Sequence, residues 1–205
     1  MKPLALTFVV LPFLLACTKT MPEASDAPTT TNNDFGVTTW TTGCLPDTSS
    51  SGVQTFAFSG GQFSQGFVGY SDTTCTTGVI KMDVTGTYVL GGNASATNTR
   101  TIDQTLATMH ITIIDSATVT SLNSSAYCGY TDWVLNIAKD VTGKTCDSTT
   151  MPSVGAMVYN IYYIWPANSP AQGALNFGLN DSSHDGRTPA QRPTSLDTTV
   201  NYFKQ

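Results

Sequence analysis

The chain has 205 residues, nine Lys and Arg against fourteen acidic side chains, and a formal net charge of −5. Nucleic acid is excluded as a partner, because phosphate binding needs clustered cations that this chain lacks. Charged residues make up 11% and aromatics 10% of the chain, and its one glutamate is Glu23; Thr, Ser, Asn and Gly crowd the remainder, a balance that favours strands over helices.

At the N-terminus, Lys2 precedes an apolar run from Leu4 to Ala16. That run is too short to span a bilayer and suits a secretory signal. Leu14, Leu15, Ala16 and Cys17 then resemble a bacterial lipoprotein cleavage box, with small Ala16 directly before Cys17 and polar sequence from Thr18 onward. The resemblance implies cleavage between Ala16 and Cys17, a thioether-linked diacylglycerol on Cys17 and a third acyl chain, such as palmitate, on the new N-terminus. Each buried methylene contributes about 0.8 kcal/mol, so two or three such chains anchor a protein without spanning. Thr18, in place of an aspartate after the cysteine, implies the outer membrane of a Gram-negative cell. Residues 18–34 are Pro, Thr, Asn and acidic side chains with little to bury, which predicts a flexible tether over 17–34 and one folded domain over 35–205.

From Phe35 onward, short β-rich runs recur at about 36–44, 53–59, 62–70, 78–90, 104–120, 156–165, 173–179 and 199–204. Alternation places Ala107, Met109, Ile111 and Ile113 on one inward face. Phe56 with Phe58, Phe63 with Phe67, and Tyr159, Ile161 and Tyr163 repeat the same period. Ser59-Gly60-Gly61-Gln62 reads as a hairpin turn. Eight strands with short links and no intervening helical pattern predict an all-β, antiparallel, up-and-down barrel of about eight strands. The stretch Asn123 to Thr150 is too long for a turn and has room for one short helix.

With Cys17 assigned to lipid, four cysteines remain, and an exported chain meets an oxidising compartment. Of three possible pairings, Cys44 with Cys75 and Cys128 with Cys146 each close a local loop, so these are the disulfides expected. The second staples the long loop.

Trp40-x-x-x-Cys44, Asp72-x-x-Cys75 and Gly86-x-Tyr88 lead into Tyr127-Cys128-Gly129-Tyr130-x-Asp132-Trp133. Asp185-Gly186-Arg187 and Arg192-Pro193-Thr194-Ser195-Leu196-Asp197 follow towards the end of the chain. Together these resemble a set of uncharacterised bacterial lipoproteins with a lipocalin-like barrel, over residues 36 to 205. The resemblance implies the barrel and no particular activity. Trp40 is similar to the early tryptophan of lipocalins, although Thr38 stands where they carry a glycine.

Candidate ligand-binding residues are Trp40, Phe56, Phe58, Tyr88, Trp133, Tyr159 and Tyr163, whose rings suit a small apolar ligand. An eight-stranded interior is either filled by side chains or holds one small ligand, and both outcomes stay open at this point. His184 lies in Asn180-Asp181-x-x-His184-Asp185-Gly186, letters that serve a turn more readily than a cation, so no metal and no cofactor is expected. Arg187 and Arg192 are expected to pin a loop to Asp185 or Asp197. No G-x-S-x-G elbow occurs and neither His110 nor His184 has a local cysteine partner, so catalysis is not expected. The expected function is a non-enzymatic, lipid-anchored binding module for a small apolar or envelope-derived ligand. A solid barrel docking on another envelope protein is the second expectation.

Overall fold

The structure is a computed structural model that describes residues 35–169 and 173–205. Its strands are β1 (Thr38–Thr41), β2 (Leu45–Pro46), β3 (Ser51–Ser59), β4 (Gln62–Tyr70), β5 (Gly78–Asn93) and β6 (Arg100–Ile113). After helix α1 (Ser116–Ser125) come β7 (Ala138–Asp140), β8 (Thr145–Cys146), β9 (Thr149–Thr150), β10 (Met157–Ile164), β11 (Leu175–Phe177) and β12 (Phe203–Lys204). The main sheet runs β11-β10-β6-β5-β4-β3-β1-β12, every pairing antiparallel. Leu175 and Tyr202 bridge its two ends, exchanging backbone hydrogen bonds of 2.8 and 3.0 Å. The result is an eight-stranded, nearly closed up-and-down barrel, as its alternation predicts.

Local chemistry explains the joins. Gly60 and Gly61, at φ 55° and 79°, form the β3–β4 hairpin with the left-handed backbone that a two-residue turn requires. Cys44–Cys75 and Cys128–Cys146 are both disulfides, the pairings the local loops suggest.

Inward side chains line up in cross-strand rungs. One rung is Trp40, Phe56, Gln65, Val84 and Met109 across β1, β3, β4, β5 and β6. The next rung is Phe58, Phe63, Gly86 and Leu106. On the other side lie Gln54, Phe67, Met82 and Ile111.

Three expectations change. The run predicted over 104–120 starts at Arg100 and stops at Ile113, because Asp115 caps α1: its carboxylate accepts from Thr118 N and Oγ1, both at 2.7 Å. Ala107 faces solvent, because the pairing steps from Thr85–Thr108 to Gly86–Leu106 and leaves Ala107 as a bulge. The inward phase therefore changes from Ile102, Gln104 and Leu106 to Met109, Ile111 and Ile113. The last two strands are short: β11 has three residues and β12 has two.

Ala16, Cys17 and the tether lie outside the described residues. Among the described residues, no helix is long and apolar enough to cross a membrane.

Candidate functional site

Four of the seven candidate rings meet inside the barrel. Trp40, Phe56 and Phe58 are buried on inner rungs, and Tyr88 packs beside them. Phe58 stacks on Phe35 at 4.0 Å between centroids and meets Tyr88 edge-on at 5.2 Å. Phe35 also touches Tyr162 at 4.8 Å, while Phe56 reaches Phe177 at 4.8 Å and Tyr202 at 5.5 Å. Such offset and edge contacts contribute roughly 0.5–1.5 kcal/mol each beyond area burial. Burial, with Asp197 nearby, pushes the Tyr202 phenol well above its usual range, and its hydroxyl donates to Gln54 Oε1. Sequence reasoning passed over Phe35, Tyr162 and Tyr202 as candidates, although each carries an aromatic ring at a strand or at its edge.

The interior is not wholly apolar. Gln65 and Gln104 are 9% and 4% exposed and stand on inward positions, Gln104 opposite Tyr88 and Val158. No hydrogen bond joins either side-chain amide to another described residue. Trp40 Nε1 and Asn160 Nδ2 are buried with no hydrogen-bond partner.

Tyr159 and Tyr163 lie elsewhere, which corrects the inward reading of β10. Register with Ile102 and Gln104 puts Asn160 and Val158 on the inner face, so Tyr159, Ile161 and Tyr163 point outward. Every residue from Tyr159 to Tyr162 is nonetheless buried. Part of the outer cover is Arg192, whose guanidinium lies 5.5 Å from the Tyr159 ring centroid. It pairs with Asp103 at 2.7 Å and donates to Asn160 O at 2.6 Å. Arg192 thus pins its loop to β6 and β10, and not to Asp185 or Asp197 as expected. Arg187 does pair with Asp185, at 2.9 Å. Tyr163 packs edge-on against Trp165.

Trp133, the seventh candidate, belongs to the stapled loop. Its backbone N–H donates to Asn123 Oδ1 at 2.6 Å, Asn123 Nδ2 returns a bond to Trp133 O, and its Nε1 donates to Tyr127 O at 3.2 Å. Tyr127 and Tyr130 flank the indole, and burial, with Asp147 as a second cause, pushes the Tyr127 phenol up to about 12. Lys139 and Lys144 lie 4.7 and 4.8 Å from the Tyr130 ring centroid, and Lys139 also pairs with Asp132 at 2.8 Å. This knot holds out Val134, Leu135 and Ile137, which are 54%, 40% and 54% exposed. Asn136 N donates to Ile113 O at 2.8 Å, so the apolar crest sits at the C-terminal end of β6. Phe35 packs at the opposite end, by Phe58 and the β3–β4 hairpin.

The turn that carries Cys75 of the Cys44–Cys75 disulfide is held by one carboxylate. Asp72 accepts from Thr74 N, Thr76 N and Thr77 N and from the Thr74 and Thr76 hydroxyls. Desolvation opposes ionisation there, but these bonds together hold the carboxyl well below its ordinary value. His184 lies 3.2 Å from Asp181 within its turn. Among the described residues, no group of three or more His, Cys, Asp or Glu converges as a metal ion would require.

These features define an all-β antiparallel barrel with an aromatic interior and one stapled, apolar-tipped loop. The chain matches no known family model and no curated protein.

Proposed function

We propose that this chain is a lipid-anchored envelope protein whose barrel is a non-enzymatic binding module. It presents its stapled loop to an apolar or envelope-derived ligand. The observation that carries this reading is the crest of Val134, Leu135 and Ile137, exposed at the tip of a loop fastened by Cys128–Cys146 and the Trp133 ring cluster. Clustered apolar side chains on a rigid support favour contact with another molecule over contact with water. The segment arriving from Cys17 enters at the Phe35 end, so an anchored barrel carries its crest on the end away from the tether. Leu14-Leu15-Ala16-Cys17 supports the anchor itself. Ring-on-ring packing that runs from Phe35 through Phe58 and Phe56 to Tyr202 favours a second reading, a solid barrel that docks on another envelope protein.

The test compares wild type with a variant carrying Val134→Ser, Leu135→Ser and Ile137→Ser, both purified from their own envelope and analysed by native mass spectrometry. Wild type is expected to carry acyl chains on Cys17 and a bound molecule that the triple variant lacks. An unmodified Cys17 sinks the anchor, and an unchanged set of bound molecules sinks the role of the crest.

A further inference from the structure

The two disulfides stand in opposite surroundings. Cys128 and Cys146 are 4% and 2% exposed, whereas Cys44 is exposed and Cys75 half-buried. Exchange proceeds by attack of a thiolate on a disulfide sulfur, so burial shields Cys128–Cys146 from reagents and exposure leaves Cys44–Cys75 open to them. Neither Cys44 nor Cys75 depends on the bond between them for its place. Cys75 N–H donates to Ser51 Oγ at 3.0 Å, and the Ser51 hydroxyl donates to Asp72 O at 2.6 Å. The Asp72 carboxylate gathers Thr74, Thr76 and Thr77 into the same turn. On the other side, Thr42 N–H donates to Gln54 O at 2.9 Å, and Leu45 and Pro46 pair with Gly52 and Ser51, so the residues on both sides of Cys44 are fixed to β3. Two carbonyl oxygens face the sulfurs: Thr73 O lies 3.8 Å from Cys44 Sγ, and Gly52 O lies 3.7 Å from Cys75 Sγ. A disulfide sulfur has no proton to offer these acceptors, whereas a thiol has one.

We infer that Cys44–Cys75 is a thiol–disulfide exchange site, opened by a dithiol reductant and reclosed by an external disulfide, in a barrel that stays folded in both states. A thiolate of the dithiol attacks Cys44 Sγ, on the more exposed cysteine. The Cys44–Cys75 bond breaks, its electron pair leaves with Cys75 Sγ, and Cys75 takes up the proton that the attacking thiol lost. The dithiol's second sulfur, ionised in turn, attacks the first and releases Cys44 Sγ, which takes the second proton. The protein thus gains two electrons and two protons, and the dithiol becomes a disulfide. Each new thiol then has its carbonyl acceptor in place, and the Asp72 turn keeps Cys75 beside Cys44 for reclosure. Cys128–Cys146 takes no part. The site rests neither on an anchor at Cys17 nor on the crest, and either reading can fail alone.

The test uses the full chain with Cys17→Ala, so that four cysteines remain. It is exposed to dithiothreitol without denaturant, quenched at intervals with N-ethylmaleimide and mapped by peptide mass spectrometry. Cys44 and Cys75 are expected to be labelled at least about tenfold faster than Cys128 and Cys146, with an unchanged far-ultraviolet spectrum while only the first pair is open. When the monothiol glutathione replaces dithiothreitol, the trapped mixed disulfide is expected on Cys44. After removal of the reductant, oxidised glutathione is expected to restore the Cys44–Cys75 pairing, and Asp72→Ala is expected to slow that reclosure at least about fivefold. Equal labelling of the two pairs, loss of the folded spectrum on opening Cys44–Cys75, or a mixed disulfide on Cys75 each overturns the proposal. Reclosure at the wild-type rate in Asp72→Ala overturns it as well, because the dithiol would then owe nothing to the turn.

Discussion

Gly86 stands opposite Leu106 across β5 and β6, while the preceding Thr85 stands opposite Thr108. The residue skipped is Ala107, and the close approach needs glycine: a Cβ on Gly86 would lie 2.1 Å from Thr105 O and 2.6 Å from the Phe63 ring. Leu106→Ala is therefore expected to cost about 2–4 kcal/mol of unfolding free energy in urea, whereas Ala107→Ser stays within about 0.5 kcal/mol. Gly86→Ala should be as damaging as Leu106→Ala although it adds one methyl group. Equal sensitivity at 106 and 107 would contradict the bulge.

Replacing Cys128 and Cys146 together with serine opens a loop with a sequence separation of 18. The chain-entropy account assigns such a cross-link about 3 kcal/mol. Thermal unfolding monitored at the three tryptophans should show the loss, with Trp133 becoming accessible to a fluorescence quencher before the barrel melts. Reduction of wild type by dithiothreitol opens Cys44–Cys75 as well and should cost more than the double serine variant. A quencher profile identical to that of the oxidised protein would mean that the Asn123–Trp133 bonds hold the loop unaided.

Tyr202→Phe removes the hydroxyl that donates to Gln54 Oε1, and it leaves half-buried Gln54 without that donor. A loss of about 1–2 kcal/mol is expected by chemical denaturation. Gln54→Leu in the same background should recover part of it, because both polar partners are then gone. A further loss in the double variant would show that Gln54 has a role besides this bond.

Acid should destabilise the fold through the carboxylates that the backbone holds ionised. Asp72 is lowered by Thr74, Thr76 and Thr77 against the opposing effect of desolvation, and Asp115 is lowered by the hydroxyl and N–H of Thr118. A folded-state value below the unfolded one contributes stability that is present above about pH 4 and lost as pH falls further. Unfolding free energy should be level from about pH 5 to 7 and decline below about pH 4. Asp72→Asn and Asp115→Asn should each flatten that decline; an unaltered slope in both would place the acid-sensitive groups elsewhere.

The barrel was legible wherever one face alone meets solvent. Phe56 and Phe58 alternate with Thr55 and Ala57, and Gly60-Gly61 announces its own turn, so β3 and β4 appear in the sequence nearly at their true bounds. Strand β10 was legible as a strand and illegible in phase, because its outer face is covered by the segment around Arg192 and both faces read as apolar. Helix α1 was hidden by its composition: Thr118, Val119 and Thr120 favour strands, and only Asp115, three residues before Thr118, signals the cap. Among the candidate rings, Trp40, Phe56, Phe58 and Tyr88 converge because alternation turns each of them to the inner face of β1, β3 or β5, whereas Trp133 belongs to a loop stapled by a disulfide. The polar interior was missed because Gln65 and Gln104 lie at strand positions where glutamine is ordinarily read as outward-facing.

The ring closes through its latest strand. Tyr202 and Gln54 are 148 residues apart, and β12 has only two residues with which to hold β1. A chain that folds as it is made therefore completes seven strands of a curved sheet before the eighth can seal it, and during that interval β1 and β11 both present open edges. The rate at which the C-terminal strand becomes available, and any chaperone that shields a strand edge, would govern the yield of closed barrel more than the stability of the finished molecule does.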